Sequence, residues 1–326
     1  MNIAMIGGAG FIGTRLAKRL NDSGSDFTIY DKNRSSSDKI IELDIENTKS
    51  LSKIMNCDTI INLAAVHRDD IEPKSRYDDV NVQGSRNICN AARKYGINKI
   101  IFTSSVAIYG FAPADTTESG KHNYFNDYGR TKFIAEQVFN DWQSEDPQNR
   151  TLVIIRPTVV FGEGNRGNVY NLFKQIASGM FVMIGDGKNK KSMAYVENIA
   201  AFIQHTLSFR PGIHVYNYID KPDLDMNTLI SFARNVLLGK NNIGLRLPGF
   251  VAIGLGYIVD LASKISGKKF PVSSIRIKKF LATTQFSSSI QNTEFIAPVS
   301  LQDGINKTLN YEFVEDNSNK RTFETE

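Results

Sequence analysis

The sequence predicts a doubly wound, parallel α/β sheet with a smaller mixed α/β lobe toward its C-terminal end. Three observations carry this. Short Ile/Val-rich runs alternate with amphipathic stretches through the first half, the first run turns through the glycine-rich GGAGFIG, and the alternation loosens after Pro157. Uninterrupted apolar runs between helices belong to strands covered on both faces, and such strands pair in parallel.

In chain order, strands are expected at 2–6, 27–30, 39–43, 59–63, 99–103 and 152–155, each a short β-branched run bounded by turn residues. Helices are expected over 11–23, 76–95 and 124–145, where apolar residues recur at helical spacing. Residues 1–157 then form one lobe, and 158–314 form a second that makes short returns to the first. The polar stretch 315–326 is expected to be a disordered tail.

Bulk composition narrows the function. The 326 residues are 41% hydrophobic and 22% charged, with 39 basic and 34 acidic residues giving +5. Lys264, Lys268, Lys269, Arg276, Lys278 and Lys279 follow one another with no acid from 264 to 279, so the excess is local. A local anionic partner fits this better than nucleic acid does. No aromatic–basic repeat of a single-strand binder occurs. The apolar N-terminus lacks a basic leader and breaks at glycines, so it is a strand and not a signal peptide. Cys57 and Cys89 are expected as free thiols in a reducing compartment. No run approaches the roughly 20 apolar residues of a membrane span. A cytoplasmic protein is expected, with no metal site.

Strand 2–6 leads into Gly7, Gly10, Phe11, Ile12 and Gly13, and a helix follows. Glycines there allow positive φ and close backbone approach, and the helix N-terminus faces an anion. Asp31 ends the second strand, as a dinucleotide fold requires, where its carboxylate accepts the ribose hydroxyls and repels a 2′-phosphate. NAD is therefore the expected cofactor, while Lys32 and Arg34 keep NADP open.

KIIFTSSVAIYG places Ser104 and Ser105 at a strand's carboxyl end. Tyr128 and Lys132 are four apart in a helical stretch and share a face. A phenol is a poor base at neutral pH, but a nearby ammonium and a cationic nicotinamide both favour the phenolate. Ser105, Tyr128 and Lys132 are the candidate catalytic residues, and Lys132 also suits the nicotinamide ribose.

With these residues in this order the chain resembles the extended short-chain dehydrogenase/reductase superfamily over nearly its whole length. That resemblance implies a Rossmann-type fold. It implies adenine contacts from Asp44 and Ile45, a cofactor-lining strand end at Ala64 and Ala65, a structural and cofactor contact at Asn81, and a carboxamide contact at Pro157. Lys32 joins this cofactor set. Dehydratases of the superfamily carry an Asp-Glu pair where this chain has Val106 and Ala107, so elimination is not expected. A sugar epimerase or a keto-sugar reductase remains, and a non-catalytic dinucleotide-sensing scaffold is disfavoured by the intact Ser105, Tyr128 and Lys132.

On the substrate side the resemblance implies a diphospho-sugar held by Ser105, Thr158, Asn168, Lys191 and Arg276, with Arg166 near the same helix start. His67, Arg68, Asp69 and Asp70 either line the pocket or form an ion-pair cluster. AAVHRDDIEPKSRYDDVNVQGSRN, GNRGNVYNLFKQIASG and KKFPVSSIRIKKFLATTQF are together similar to bacterial epimerases that act on lipid-diphosphate-linked N-acetylglucosamine. Soluble UDP-sugars are the alternative substrates. A homodimer through 76–95 and 124–145 is implied by analogy. The uncharged run 247–259 lies against the six cations and has the composition of an interfacial element. Phe250, Ile253 and Tyr257 are its expected lipid contacts, which implies a peripheral protein on the cytoplasmic face of the membrane.

Overall fold

The computed structural model describes residues 1–33, 39–68, 71–266 and 274–324. β1 (Asn2–Ile6) turns into α1 (Phe11–Asp22), followed by β2 (Asp26–Asp31), β3 (Ile40–Glu42) and β4 (Thr59–Asn62). The helix expected at 76–95 is three pieces: a single turn α2 (Ser75–Tyr77), a π-helical segment Asp78–Gln83, and α3 (Gly84–Tyr95). β5 (Lys99–Thr103) leads into a 3₁₀ turn at Val106–Tyr109, then α4 (Asp127–Ser144) and β6 (Thr151–Pro157).

The second half runs β7 (Val159–Phe161), α5 (Asn168–Ala177), β8 (Val182–Ile184), β9 (Lys190–Tyr195), α6 (Val196–His205) and β10 (Gly212–Tyr218). It continues with β11 (Asp220–Asp225), α7 (Met226–Leu238), β12 (Leu245–Leu247), α8 (Gly249–Ser266), α9 (Ser274–Leu281) and α10 (Leu301–Phe313).

Seven strands form one sheet in the order β10-β6-β5-β4-β1-β2-β3, every pair parallel. Alternate strand residues supply two cores on opposite faces. Ala4, Ile60, Ile100 and Ile154 join Phe139 and Trp142 of α4 on one side. Ile3, Ile61, Ile101 and Val153 join Leu16 of α1 and Phe202 of α6 on the other. Both faces are dry, which is why these strands read as continuous apolar runs. The chain leaves β1 toward β2 on one side and returns at β4 on the other. This reversal opens a crevice at the carboxyl ends of β1 and β4, where ligands of doubly wound sheets bind.

β10, from the second half, pairs with β6 over seven residues, and α6 packs against α1. A three-stranded sheet, β11-β9-β7, and the pair β12-β8 belong to the second lobe. They pack with α5, α7 and α10 around Phe173, Leu229, Ile230 and Ile305. Cys57 and Cys89 are free and buried, as expected. In the stretch 315–324 most residues are exposed, while Phe323 is half-buried and its amide donates to Gly164 O at 2.8 Å.

Candidate active site

The glycine turn is held from three directions. Gly7 has φ +76°, and a Cβ on it would lie 2.6 Å from the Ala64 nitrogen, so only glycine lets the β1 turn pass the end of β4. Its amide and that of Gly8 donate to Tyr30 O at the end of β2. The Asp31 carboxylate accepts the Ala9 amide at 3.1 Å and the Asn33 amide at 2.9 Å. Gly13 sits on α1 against Gly8, where a side chain would meet the Gly8 carbonyl, so its role is packing. Phe11 is buried in the second lobe's core, whereas Ile12 is half-buried.

Lys32 lies beside Asp31 but ion-pairs with Asp44 at 3.0 Å and Glu46 at 3.1 Å. Arg76 neutralises Glu46 from its other side. With Lys32 committed to two acids, the geometry favours NAD over a 2′-phosphorylated cofactor. Arg34 lies outside the described residues. Ile45 packs on Gly84, and its carbonyl accepts from Asn87. Asn81 is buried and clamps the segment after β4: it accepts the Val66 amide at 2.8 Å and donates to Val66 O and Thr131 Oγ. Ala64 and Ala65 are half-buried along this segment, and Pro157 is buried at the end of β6.

Asn126 caps α4, its side chain accepting the Gly129 amide at 2.9 Å, which fixes Tyr128 in the first turn. A Cβ on Gly129 would lie 2.5 Å from Ala107 O. Glycine between Tyr128 and Arg130 therefore brings the helix onto the 3₁₀ turn that Ser105 caps. Ser105 Oγ accepts the Ala107 amide at 3.1 Å. Burial raises the Tyr128 phenol above its usual pKa, and a hydrogen bond with Ser105 opposes this. Lys132 was expected to act on the phenol directly, but it is not among the groups that shift it. Its ammonium sits 4.3 Å over the Phe102 ring, 2% exposed, and burial lowers its pKa to about 7 against a weaker upward pull from Glu136. Its Nζ makes no hydrogen bond or ion pair among the described residues.

Sequence reasoning missed the polar network behind this face. Arg156 on β6 forks onto Glu136 of α4 at 2.9 and 2.6 Å, and it donates to Tyr109 OH at 2.6 Å. Tyr109 donates to Asn217 of β10, whose amide donates to Glu118. The available signal was Glu136 four residues after Lys132, and an arginine inside a strand otherwise free of charge.

The expected substrate residues are scattered more widely. Thr158 is buried and donates to Tyr218 O. Asn168 is exposed at the start of α5, whose amino end has neither a capping side chain nor a first-turn acid. Arg166 turns instead to Glu312 at 2.6 Å and stacks on Tyr170. Lys191 is half-buried and donates to Lys279 O and Ala282 O, capping the carboxyl end of α9. Burial lowers its pKa to about 8. Arg276 is exposed in the first turn of α9, at the end opposite to the one Lys191 caps. His67 is exposed, and Tyr77 OH donates to Arg68 O. Asp69, Asp70, Lys268 and Lys269 lie outside the described residues. No metal-holding cluster occurs among the described residues.

Residues 3–217 match the NAD dependent epimerase/dehydratase family. The chain belongs to that family. It is 46% identical over 332 residues to the N-acetyl-alpha-D-glucosaminyl-diphospho-ditrans,octacis-undecaprenol 4-epimerase of Escherichia coli O157:H7, covering 100% of this chain and 99% of that one. It is 26% identical to UDP-glucose 4-epimerase 3 of Oryza sativa subsp. japonica, over 83% of this chain and 78% of the other. The fold matches UDP-glucose 4-epimerase from Bifidobacterium longum, solved with NAD⁺ and UDP, at a TM-score of 0.73 and 19% identity, covering 97% and 99% of the two chains.

The epimerase/dehydratase chain fits the cofactor of its family. A Cβ on Gly10 would meet only Gly7 O, at 3.2 Å, so the turn stays open on its other side. α1 begins there with no capping side chain and no acid in its first turn, leaving its amino end to an anion. The buried Lys132 ammonium supplies donors that a ribose would use. NAD, when bound, would supply a reversible hydride acceptor. For the proton chemistry the sequence predicts Tyr128 as acceptor of the hydroxyl proton, Ser105 as its aid and Lys132 as the ribose-side residue; in the fold Ser105 is hydrogen-bonded with the Tyr128 phenol.

Two outcomes test these roles. Tyr128→Phe should lose on the order of 10²–10⁴-fold in turnover while a titration still shows NAD binding; wild-type turnover would remove Tyr128 from the mechanism. The second concerns pH. Lys132 has a pKa of about 7 in the fold against an ordinary 10.5. Between these values the unfolded chain binds more protons, so stability rises with pH across that window and the penalty is full below it. In NAD-free protein, the urea midpoint of wild type should therefore rise relative to Lys132→Met from pH 7 to 9. A pH-independent difference would show that the lysine is not desolvated.

Proposed function

We propose that this chain is a 4-epimerase of N-acetylglucosamine linked through diphosphate to undecaprenol, giving the N-acetylgalactosamine form for surface polysaccharide. The observation that carries this is the whole-length likeness to the Escherichia coli O157:H7 enzyme, at 46% identity. Val106 and Ala107 occupy the 3₁₀ turn beside Ser105. That favours the epimerase side of the family, because no acid–base pair for elimination stands there.

Tyr128 takes the O4 proton with Ser105 assisting, and the 4-keto sugar turns and is reduced on its other face. In this reading Asn168 at the head of α5 and Arg276 on α9 hold the diphosphate. Lys191 positions α9, and Thr158 shapes the pocket floor through Tyr218. Supplying the lipid-linked and the UDP-linked sugar separately, with NAD alone, tests the assignment. Conversion of the lipid form is expected. Conversion of only the UDP form would overturn the substrate, and a stoichiometric need for reduced cofactor would point to a reductase.

The same reading includes work at the cytoplasmic face of the membrane. No helix among the described residues is long and apolar enough to cross a bilayer. α8 instead carries Phe250, Tyr257, Ile258 and Leu261, each more than half exposed. With Gly254 they form one stripe at helical spacing, while Ala252 and Gly256 face inward. Ile253, expected at the contact, is off this stripe and half-buried. Lys264, Arg276 and Lys278 are exposed beside the stripe, and Lys278 donates to Tyr257 OH. An apolar face edged by cations is an interfacial design, and each cation adds about 1 kcal/mol on anionic lipid. A Phe250→Ser, Tyr257→Ser, Leu261→Ser variant should float with phosphatidylglycerol-containing vesicles at least tenfold less than wild type. Equal flotation would remove α8 from the contact.

For assembly the reading is a homodimer through the outer faces of α3 and α4. The stretches concerned are 76–95 and 124–145, and the second begins with the exposed Tyr124 and Phe125.

A further inference from the structure

We propose that residues 319–324 form a clasp that retains NAD by fastening the glycine turn to the second lobe, with Arg321 as its positioning residue. Arg321 Nη2 donates to Ala9 O at 2.9 Å. The Ala9 amide is already held by Asp31, so both sides of that residue are pinned, one by a side chain 22 residues away and the other by one 312 away. These are peptide units of the turn that leads into the uncapped amino end of α1.

Two residues on, the clasp grips the other lobe. Phe323 exchanges backbone hydrogen bonds with the loop after β7: its amide donates to Gly164 O, and its carbonyl accepts the Arg166 amide at 2.9 Å. Its ring meets Phe11, the first residue of α1, at 5.6 Å between centroids. The Arg321 guanidinium stacks 4.9 Å over the Phe323 ring, joining the two grips. The loop is itself anchored, since Glu312 of α10 accepts the Gly164 amide at 2.6 Å and pairs with Arg166. The tail therefore ties together the turn that binds the cofactor's diphosphate and the loop that leads into α5.

Retention is the chemical need this meets. An epimerase regenerates its NAD in every cycle, so release serves no step; that reason rests on the proposed reaction, whereas the clasp and its test do not. Opening the crevice requires the turn and the loop to part, and each clasp contact raises the barrier to that motion.

The test follows release of NAD from loaded full-length protein into excess trap, with no sugar present. Arg321→Ala and Phe323→Ala should each release NAD at least fivefold faster. Arg321→Lys, which keeps a donor for Ala9 O, should recover part of the loss. Lys320→Ala, at a side chain directed to Tyr311, should stay within twofold of wild type. Release within twofold for both Arg321→Ala and Phe323→Ala would overturn the clasp, as would an equal acceleration by Lys320→Ala.

Discussion

The fork of Arg156 on Glu136 is the constraint on which the active site hangs. Both side chains are almost fully enclosed, 6% and 3% exposed, and losing one partner of such a pair typically costs about 3–5 kcal/mol because the other is left buried and charged. The pair fastens α4 to β6 one helical turn beyond Lys132. Through Tyr109 it also fixes the 3₁₀ turn that Ser105 begins. Tyr128, Ser105 and Lys132 come from two elements, and this network sets the distance between those elements. It also explains how a lysine can be buried there. Glu136 pulls the Lys132 pKa upward, yet its charge is largely answered by Arg156, so desolvation dominates.

Most of the first lobe was legible because its physics is local and periodic. Buried parallel strands need continuous apolar runs, a dinucleotide turn needs glycines, and a Tyr–Lys pair needs helical spacing. Each leaves a mark within a few residues. What escaped was determined by partners distant in sequence. Lys191 reads as a cation for a phosphate, but its donors meet carbonyls 88 and 91 residues away. Arg166 reads as an anion site, but Glu312 claims it. The polar tail reads as frayed because its anchors have distant partners, Arg321 at Ala9 and Phe323 in the loop at Gly164 and Arg166. Lys32 was ambiguous between cofactors until its two acids, 12 and 14 residues on, stood beside it. In each case residue type was informative and the charge balance of the fold decided the role.

α8 shows a different limit. Its uncharged run permitted either a buried helix or an interfacial one, and periodicity alone does not choose between them when glycines interrupt it. Packing decides the inner face: a Cβ on Gly256 would lie 2.9 Å from Ile277 and from Ser274, so α9 takes that side. On the remaining stripe Tyr257 meets Lys278, while Phe250, Ile258 and Leu261 stay exposed among the described residues. The residues that look most apolar in sequence are therefore split, with Ile253 turned partly inward and Leu261 outward.

The order of these elements matches the proposed substrate. Such a molecule is an isoprenoid chain, then a diphosphate, then a sugar. Along the protein surface the apolar stripe of α8 gives way to the cations at its end and on α9. α9 in turn reaches the catalytic helix, because the Lys279 ammonium lies 4.9 Å over the ring of Phe125, three residues before Tyr128. Lys191 caps α9 from β9 and Asn189 donates to Phe280 O, so the basic helix is fixed to the second lobe and does not trail from it. A UDP-sugar would need the cations but would leave the stripe without a function. A lipid-linked sugar uses the apolar, basic and catalytic surfaces in sequence, which is the physical reason to prefer it.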